Sequence, residues 1–227
     1  MCSIMNKKVL ALLLLITGLC FNSFSQVNDA ALWTSVNIEK KINNRLTANL
    51  SQEFRFKENI SELGTAFTEI GVEHKIIKRL SASISYRFIQ NRRNNDTYSL
   101  RHRMNIDVAY RIKWKKLNIT IRERWQNQVK DVQSSPEGFD PESYLRSKLT
   151  FKYNLEKKYT PWIAGELFYQ LNNSKGNEID NLRYSMGVDY KFNKKNSLTL
   201  FYLINQEVNV NDPWTSYVIG VNYSYSF

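Results

Sequence analysis

Apolar and polar side chains alternate one by one over long stretches of the chain after residue 25. In the second such stretch Leu46, Leu50 and Phe54 share one face. Thr47 and Glu53 share the other face. Because successive side chains of a β-strand point to opposite faces, this period of two predicts strands with one apolar and one polar face. No stretch after residue 25 has the spacing of a helix, so we expect an all-β protein.

The alternation recurs in eleven stretches, of which the first lies around Leu32 to Lys40 and the last ends at Phe227. Short connections alternate with longer polar ones, as the two ends of a bacterial outer-membrane barrel do. Stretches of about 9 to 13 residues also match the length that a tilted strand needs to cross a membrane. The predicted fold is a closed antiparallel up-and-down transmembrane β-barrel.

The strand number does not fit this fold at once. Bacterial single-chain barrels have an even number of strands, with both chain ends in the periplasm. Counting back from Phe227, an eleventh strand would begin outside the cell. Either residues 27–44 contain a missed or an extra strand, or the N-terminal segment runs inside the barrel. We therefore expect about ten to twelve strands and prefer twelve.

The apolar face meets lipid in a membrane barrel, whereas it fills the inside of a soluble periplasmic barrel, which is the alternative. Aromatic residues near both strand ends, such as Phe54 and Tyr86 at one end and Tyr190 and Tyr223 at the other, are typical of membrane interfaces. We therefore place the apolar face outward and the charged face in the lumen. The predicted lumen-lining charges are Glu53, Arg55, Glu69, Glu73, Arg87, Arg101, Arg103, Arg122, Arg124, Arg146, Glu166, Arg183 and Asp189.

The start of the chain has the pattern of a secretory signal peptide. Two lysines precede the apolar run Val9–Leu19, and the Ser-Phe-Ser that follows predicts cleavage before Gln26. The run is shorter than the roughly 20 residues of a membrane-spanning helix. We therefore expect a signal peptide at 1–25, an outer-membrane barrel at 26–227, and export to the outer membrane of a Gram-negative cell.

Both cysteines, Cys2 and Cys20, lie in this leader, and Leu19 before Cys20 does not suit a lipoprotein signal. The mature chain is therefore expected to have no disulfide, thiol nucleophile or thiolate metal site. Without the two leader lysines, 30 basic residues stand against 21 acidic ones, a net charge of +9. Export argues against nucleic acid as the partner of this basic chain and leaves anionic lipid or small anions.

The chain ends on an aromatic residue that closes an amphipathic strand. Val221, Tyr223, Tyr225 and Phe227 are spaced by two, so they share one face. This arrangement resembles the signal that the outer-membrane barrel-assembly machinery reads. We expect that machinery as a partner, together with outer-membrane lipid and lipopolysaccharide.

Several short motifs occur in an order that is typical of one family. They are Leu32-Trp33-Thr34, Glu39-Lys40-Lys41, Glu53-Phe54-Arg55-Phe56, Tyr86-Arg87-Phe88, Arg101-His102-Arg103, Glu166-Leu167-Phe168-Tyr169, Arg183-Tyr184 and Gly187-Val188-Asp189-Tyr190. On these residues the mature chain resembles uncharacterised outer-membrane proteins of Bacteroidota that are grouped as domain of unknown function 2490. The resemblance implies a barrel and supplies no activity.

Candidate chemistry is sparse. Barrel hydrolases need a histidine beside a serine or an acid. His102 is the weak catalytic candidate for an envelope lipid hydrolase of the barrel-phospholipase or deacylase kind, but by parity Ser99 points to the opposite face. Asp131, Glu137 and the other acids of the longest loop fit no calcium-loop spacing, so we expect no metal and no cofactor.

The lumen carries the remaining hypothesis about function. Its inward-facing charges lean positive, and rings of Arg and Lys favour anions. Barrels of about eight strands are filled and those of sixteen or more are open, and we favour a plugged or narrow lumen here. We expect a non-enzymatic outer-membrane barrel, structural or weakly channel-forming for small anions. The lipid hydrolase and the soluble periplasmic barrel are the alternatives.

Overall fold

Eleven strands form one closed barrel. The structure, a computed structural model, describes residues 27–93, 97–130, 141–155, 158–173 and 176–227, so the predicted signal peptide and its cleavage site lie outside the described residues. Within these ranges there is no helix long and apolar enough to cross a membrane. The strands are β1 (Val27–Lys41), β2 (Leu46–Lys57), β3 (Glu62–Lys75), β4 (Leu80–Arg92), β5 (Tyr98–Trp114), β6 (Leu117–Lys130), β7 (Pro141–Tyr153), β8 (Tyr159–Gln170), β9 (Ile179–Lys191), β10 (Asn196–Glu207) and β11 (Trp214–Ser226).

Every neighbouring pair is antiparallel except the pair that closes the barrel, because β1 and β11 run parallel from Val27 beside Trp214 to Glu39 beside Ser226. The preference for twelve strands is therefore wrong, and so is the assumption of an even number. In an up-and-down barrel with an odd number of strands, the first and the last strand run in the same direction. They can still close the barrel by pairing as parallel neighbours, as β1 and β11 do. Residue 27 lies at the long-loop end, Phe227 lies at the short-turn end, and β1 forms part of the wall.

The parallel seam is fully bonded at its short-turn end. The Phe227 amide donates to the Glu39 carbonyl at 3.0 Å, and the Lys41 amide donates to the Phe227 carbonyl at 3.1 Å. Further up, the Asn37 side chain donates to the Asn222 side chain at 3.1 Å. A closed ladder leaves no strand edge with unpaired backbone groups, which hydrocarbon does not tolerate.

The strands tilt strongly against the barrel axis. Leu46 at the short-turn end of β2 pairs with His74 on β3. The row of successive partners continues to Glu123 on β6 and reaches Thr215 at the long-loop end of β11. Such a stagger is what closing a sheet into a barrel requires.

The apolar face of each strand forms the outer wall. Ile70, Ile219 and Leu200 are 59%, 56% and 53% exposed, which water would not tolerate over a whole surface. Aromatic side chains, among them Trp114 and Tyr98, are exposed at the two ends of the strands. The prediction of two-faced strands with the apolar face outward is confirmed.

Candidate functional site: the charged lumen

Arginines and aromatic rings alternate through the middle of the lumen. The Arg87 guanidinium carbon lies 3.8 Å from the centre of the Phe67 ring. Arg55 lies 5.1 Å from the same ring and 3.7 Å from the centre of the Trp33 ring. A guanidinium within about 6 Å of a ring centre is attracted by the negative face of the ring. Each ring therefore joins two arginines that would otherwise repel each other.

The same alternation continues on the other side of Trp33. Arg183 lies 5.4 Å from the Trp33 ring and 4.9 Å from the Phe168 ring, and Arg146 lies 4.1 Å from the Phe168 ring. Strands β4, β3, β2, β1, β9, β8 and β7 thus each contribute one member. We call this set the arginine–aromatic layer; it consists of Trp33, Arg55, Phe67, Arg87, Arg146, Phe168 and Arg183.

Carboxylates hold the arginines in place. The described lumen has four of them at this level, and each accepts a hydrogen bond from at least one guanidinium. Charge-assisted bonds of this kind are shorter and stronger than neutral ones. The pairs are Glu53 with Arg55 at 2.6 Å, Glu69 with Arg87 at 2.7 Å, Asp107 with Arg124 at 2.6 Å, and Glu166 with Arg146 at 2.7 Å.

Glu166 is the centre of the most buried part of this network. Its side chain is 3% exposed, and its Oε1 atom accepts from Arg146 Nε at 3.0 Å, from Arg146 Nη2 at 2.7 Å and from Arg122 Nη2. Arg146 Nη1 also donates to the Gln126 side-chain oxygen at 2.9 Å. One carboxylate oxygen therefore accepts hydrogen bonds from two guanidinium groups.

Two other arginines at this level have only neutral acceptors among the described residues. Arg103 donates to the side-chain oxygen of Gln128. Arg183 donates to the side-chain oxygen of Asn205 at 2.9 Å from Nη2. Among the described residues at this level, eight basic side chains therefore stand against the four carboxylates. The basic ones are Arg55, Arg87, Arg103, Arg122, Arg124, Arg146, Lys148 and Arg183.

Cavities lie on both sides of the arginine–aromatic layer. A cavity of about 470 Å³ on the short-turn side is lined by polar and charged residues of β1 to β6, including Asn49, Ser83 and Glu73. A cavity of about 190 Å³ on the long-loop side is lined in part by Trp33 and Arg55. No residue that lines one of these two cavities lines the other.

The half of the lumen beside the closing seam is filled by aromatic rings. Phe201 lies so close over Gly220 that a Cβ atom there would come within 1.9 Å of the ring. Gly187 is also covered, by the Phe201 and Trp162 side chains, whose rings are 6.4 Å apart. Glycine is required at Gly220 because the ring occupies the position of any larger side chain.

All the predicted lumen charges are on the inner side of the wall, although they differ in surroundings. Most belong to the ion pairs above. Asp189 accepts from Lys152 at 2.8 Å nearer the turns, and Glu73 lines the short-turn cavity. Arg101 lies nearer the loops, where its Nε atom is buried without a partner among the described residues.

The aromatic half of the layer was missed by the charge-based reasoning. Phe67 and Phe168 stand in strand positions whose neighbours two residues away are polar, and Trp33 has the small residues Ala31 and Ser35 there. These breaks in the alternation were the available signal, because a large ring on the polar face of a strand must fill lumen space. The buried amides Asn105 and Gln126, which are 1% and 4% exposed, were also missed, because they carry no charge.

His102 and Ser99 are not brought together. The His102 ring lies on the outer wall, where its Nδ1 atom is 2.5 Å from the Tyr86 hydroxyl and the ring centre is 5.6 Å from that of Phe88. Ser99 is buried on the inner side, and its hydroxyl donates to the Asn91 carbonyl at 3.2 Å. In the described part of the chain, the barrel wall therefore separates these two side chains.

The loop acids lie mostly outside the described residues, which exclude 131–140. Glu142 is described and contacts Gln128 at 2.9 Å and Lys130 at 3.7 Å. The described part of the chain has no group of three or more His, Cys, Asp or Glu residues placed to hold a metal ion.

The C-terminal row lies on the outer wall of β11. Phe227 is 51% exposed, its ring centre is 5.7 Å from that of Tyr225, and the Lys40 ammonium lies 5.3 Å from it. Tyr223 is exposed, and its hydroxyl donates to the Asn196 side chain. Val221 lies in the same row. The role of these residues in assembly stays a prediction.

The fold and the lumen define a class: a closed, single-chain β-barrel with an apolar outer wall and a charge-filled interior. The family follows from the sequence match. Residues 30–216 match the model of the family described as a protein of unknown function, DUF2490, and the chain belongs to that family. The family resemblance inferred from the sequence is thus confirmed. No protein with curated annotation matches the chain.

Two solved structures have a similar chain path. The translocator domain of autotransporter NalP from Neisseria meningitidis is 13% identical, with 77% of this chain and 72% of that chain covered and a TM-score of 0.49. A structure of the NanC porin is 14% identical, with 78% of this chain and 86% of that chain covered and a TM-score of 0.48.

Proposed function

We propose that the protein is an integral outer-membrane β-barrel whose lumen is held closed by the arginine–aromatic layer. It serves as a structural barrel that passes small anions at most weakly. The observation that carries the proposal is the layer itself, which lies between the two cavities of the lumen and contributes four arginines and no acidic residue.

Membrane insertion is supported by the outer wall. Exposed side chains such as Ile70 and Ile219 cover the middle of the strands, so a soluble barrel would place a large apolar surface in water. The polar groups instead fill the lumen, where charged pairs are shielded from lipid. This distribution is the one that a membrane barrel requires.

The preference for anions is supported by the surplus of guanidinium groups. Arg103 and Arg183 donate to neutral amide oxygens, so their charge is not cancelled by a direct carboxylate partner. A constriction with a positive surplus attracts anions and repels cations. Since the layer is also packed with rings, the same residues that favour anions restrict their passage.

Planar-bilayer recordings of refolded protein in a salt gradient test both parts. We expect the native protein to show no conductance steps or only small ones. Trp33→Ala with Phe168→Ala removes two rings of the layer and no charge, so the steps should grow and the reversal potential should shift toward that of the anion. Phe88→Ala, which removes a ring from the outer wall, is the matched control. Large steps in the native protein, or cation selectivity in the opened variant, would contradict the proposal.

A further inference from the structure

A carboxylate stands on the outer wall near the middle of a mostly apolar row. Glu123 is near the middle of β6 and exposed, between Ile121 and Trp125 on the same face. Within the described part of the chain its partner is Ser147, whose hydroxyl donates to Glu123 Oε2 at 2.6 Å. An ionisable group at this depth of a membrane is costly and marks a functional contact. The lumen makes no use of it.

Two strands away, the same wall has a hole. A Cβ atom at Gly165 would meet nothing within 4 Å. The resulting groove, about 340 Å³, is lined by Ile163, Tyr184, Met186 and Tyr202 among others. Tyr184 and Tyr202 are 52% and 39% exposed, and no described group hydrogen-bonds to their hydroxyls. The hole therefore contains hydrogen-bond donors that the barrel itself leaves unused.

Glu123 and Gly165 lie at nearly the same depth. Glu123, Ser147 and Leu167 are partners in one row across β6, β7 and β8. At a tilt of about 40°, the row climbs by about 6 Å over these two strand spacings. Gly165 is two residues closer to the turns than Leu167, which lowers it by about 5 Å. The carboxylate and the hole thus flank β7 at matching heights.

We propose that this wall is the interface of a homodimer in the membrane. A two-fold axis along the membrane normal, passing by Ser147, places Glu123 of each copy over Gly165 of the other. The carboxylate then accepts from the hydroxyls beside the hole, with Tyr184 the nearest strand neighbour of Gly165. A two-fold interface needs both halves of a contact on one surface, and this wall has them.

A second copy accounts for the wall better than lipid does. An acyl chain would fill the groove at Gly165 but offers no donor to Glu123 and no acceptor to Tyr184. Association within a membrane relies on small residues that allow close approach and on hydrogen bonds between polar side chains. Both are present on this wall, on opposite sides of Ser147. The inference relies on membrane insertion and is independent of what the lumen does.

Thiol cross-linking in membranes tests the axis. In the full chain with Cys2 and Cys20 exchanged for serine, Ser147→Cys should give a covalent dimer on oxidation. Ala82→Cys, on the outer wall of β4, is the matched control and should stay monomeric. Absence of the Ser147→Cys dimer, or equal dimer from Ala82→Cys, would overturn the proposal. Recovery of the native chain without detergent would instead contradict membrane insertion itself.

Filling the hole gives a second test that does not depend on a new thiol. Sedimentation of the detergent-solubilised native chain should give the mass of two copies. Gly165→Leu should shift it to one copy, because the leucine occupies the place of the partner's Glu123. Ala82→Leu adds a similar side chain to the far wall and should leave the dimer intact. A native chain that sediments as one copy, or a dimer unaffected by Gly165→Leu, contradicts the proposal.

Discussion

The Glu166 carboxylate is the most informative single group to remove. Glu166→Gln keeps the size of the side chain and one acceptor oxygen but removes the charge that compensates Arg146 and Arg122. The two guanidinium groups are then left with neutral acceptors, which are the retained side-chain oxygen and, for Arg146, the Gln126 oxygen.

The size of the effect follows from burial. Removing one partner of a buried ion pair costs about 3–5 kcal/mol, because the other charge is left uncompensated. Arg146 is 7% exposed and Arg122 is 21% exposed on their side chains, so water relieves Arg122 in part. We therefore expect a loss of about 3 kcal/mol in the free energy of unfolding, the lower end of that range.

Urea unfolding in lipid vesicles, followed by tryptophan fluorescence, measures this loss. With a denaturant slope of about 1–3 kcal/mol per molar, the midpoint should fall by roughly 1–3 M. Glu73→Gln is the control, because Glu73 lines the short-turn cavity and is only partly buried. Its free energy of unfolding should change by less than about 0.5 kcal/mol. If Glu166→Gln unfolds at the same midpoint as Glu73→Gln, the network does not stabilise the barrel as argued.

Two further changes probe the packing of the seam and its last residue. Gly220→Ala should lower the free energy of unfolding by about 1–3 kcal/mol or more, since its Cβ would overlap the Phe201 ring. Phe201→Ala in the same chain should restore most of this loss. A full-sized loss in the double variant would refute the contact. Deleting Phe227 removes a seam hydrogen-bond pair and the last aromatic side chain, so we expect the level in the outer membrane to fall, whereas Phe227→Tyr should keep it. Immunoblots of membrane fractions measure this, and normal levels of the shortened chain would count against the assembly signal.

Much of the wall could be predicted from the residues because a strand has a strict period of two. Leu46, Leu50 and Phe54 must share a face wherever β2 lies, and in the structure that face is the outer wall. The opposite row, with Glu53 and Arg55, then has to point inward. The family could also be inferred, since each of its motifs is a run of consecutive residues. These features depend on neighbours in the chain, which the sequence contains directly.

The tertiary structure alone decided how the strands close and what fills the lumen. Alternation fixes the faces of a strand but not the direction of its partner, so the parallel pairing of β1 with β11 could not be read from the chain. The contact of Arg183 with both Trp33 and Phe168 likewise depends on the stagger between distant strands. A side chain's parity tells which side of the wall it occupies, whereas its partner depends on depth, and depth is set by the tilt of the whole barrel.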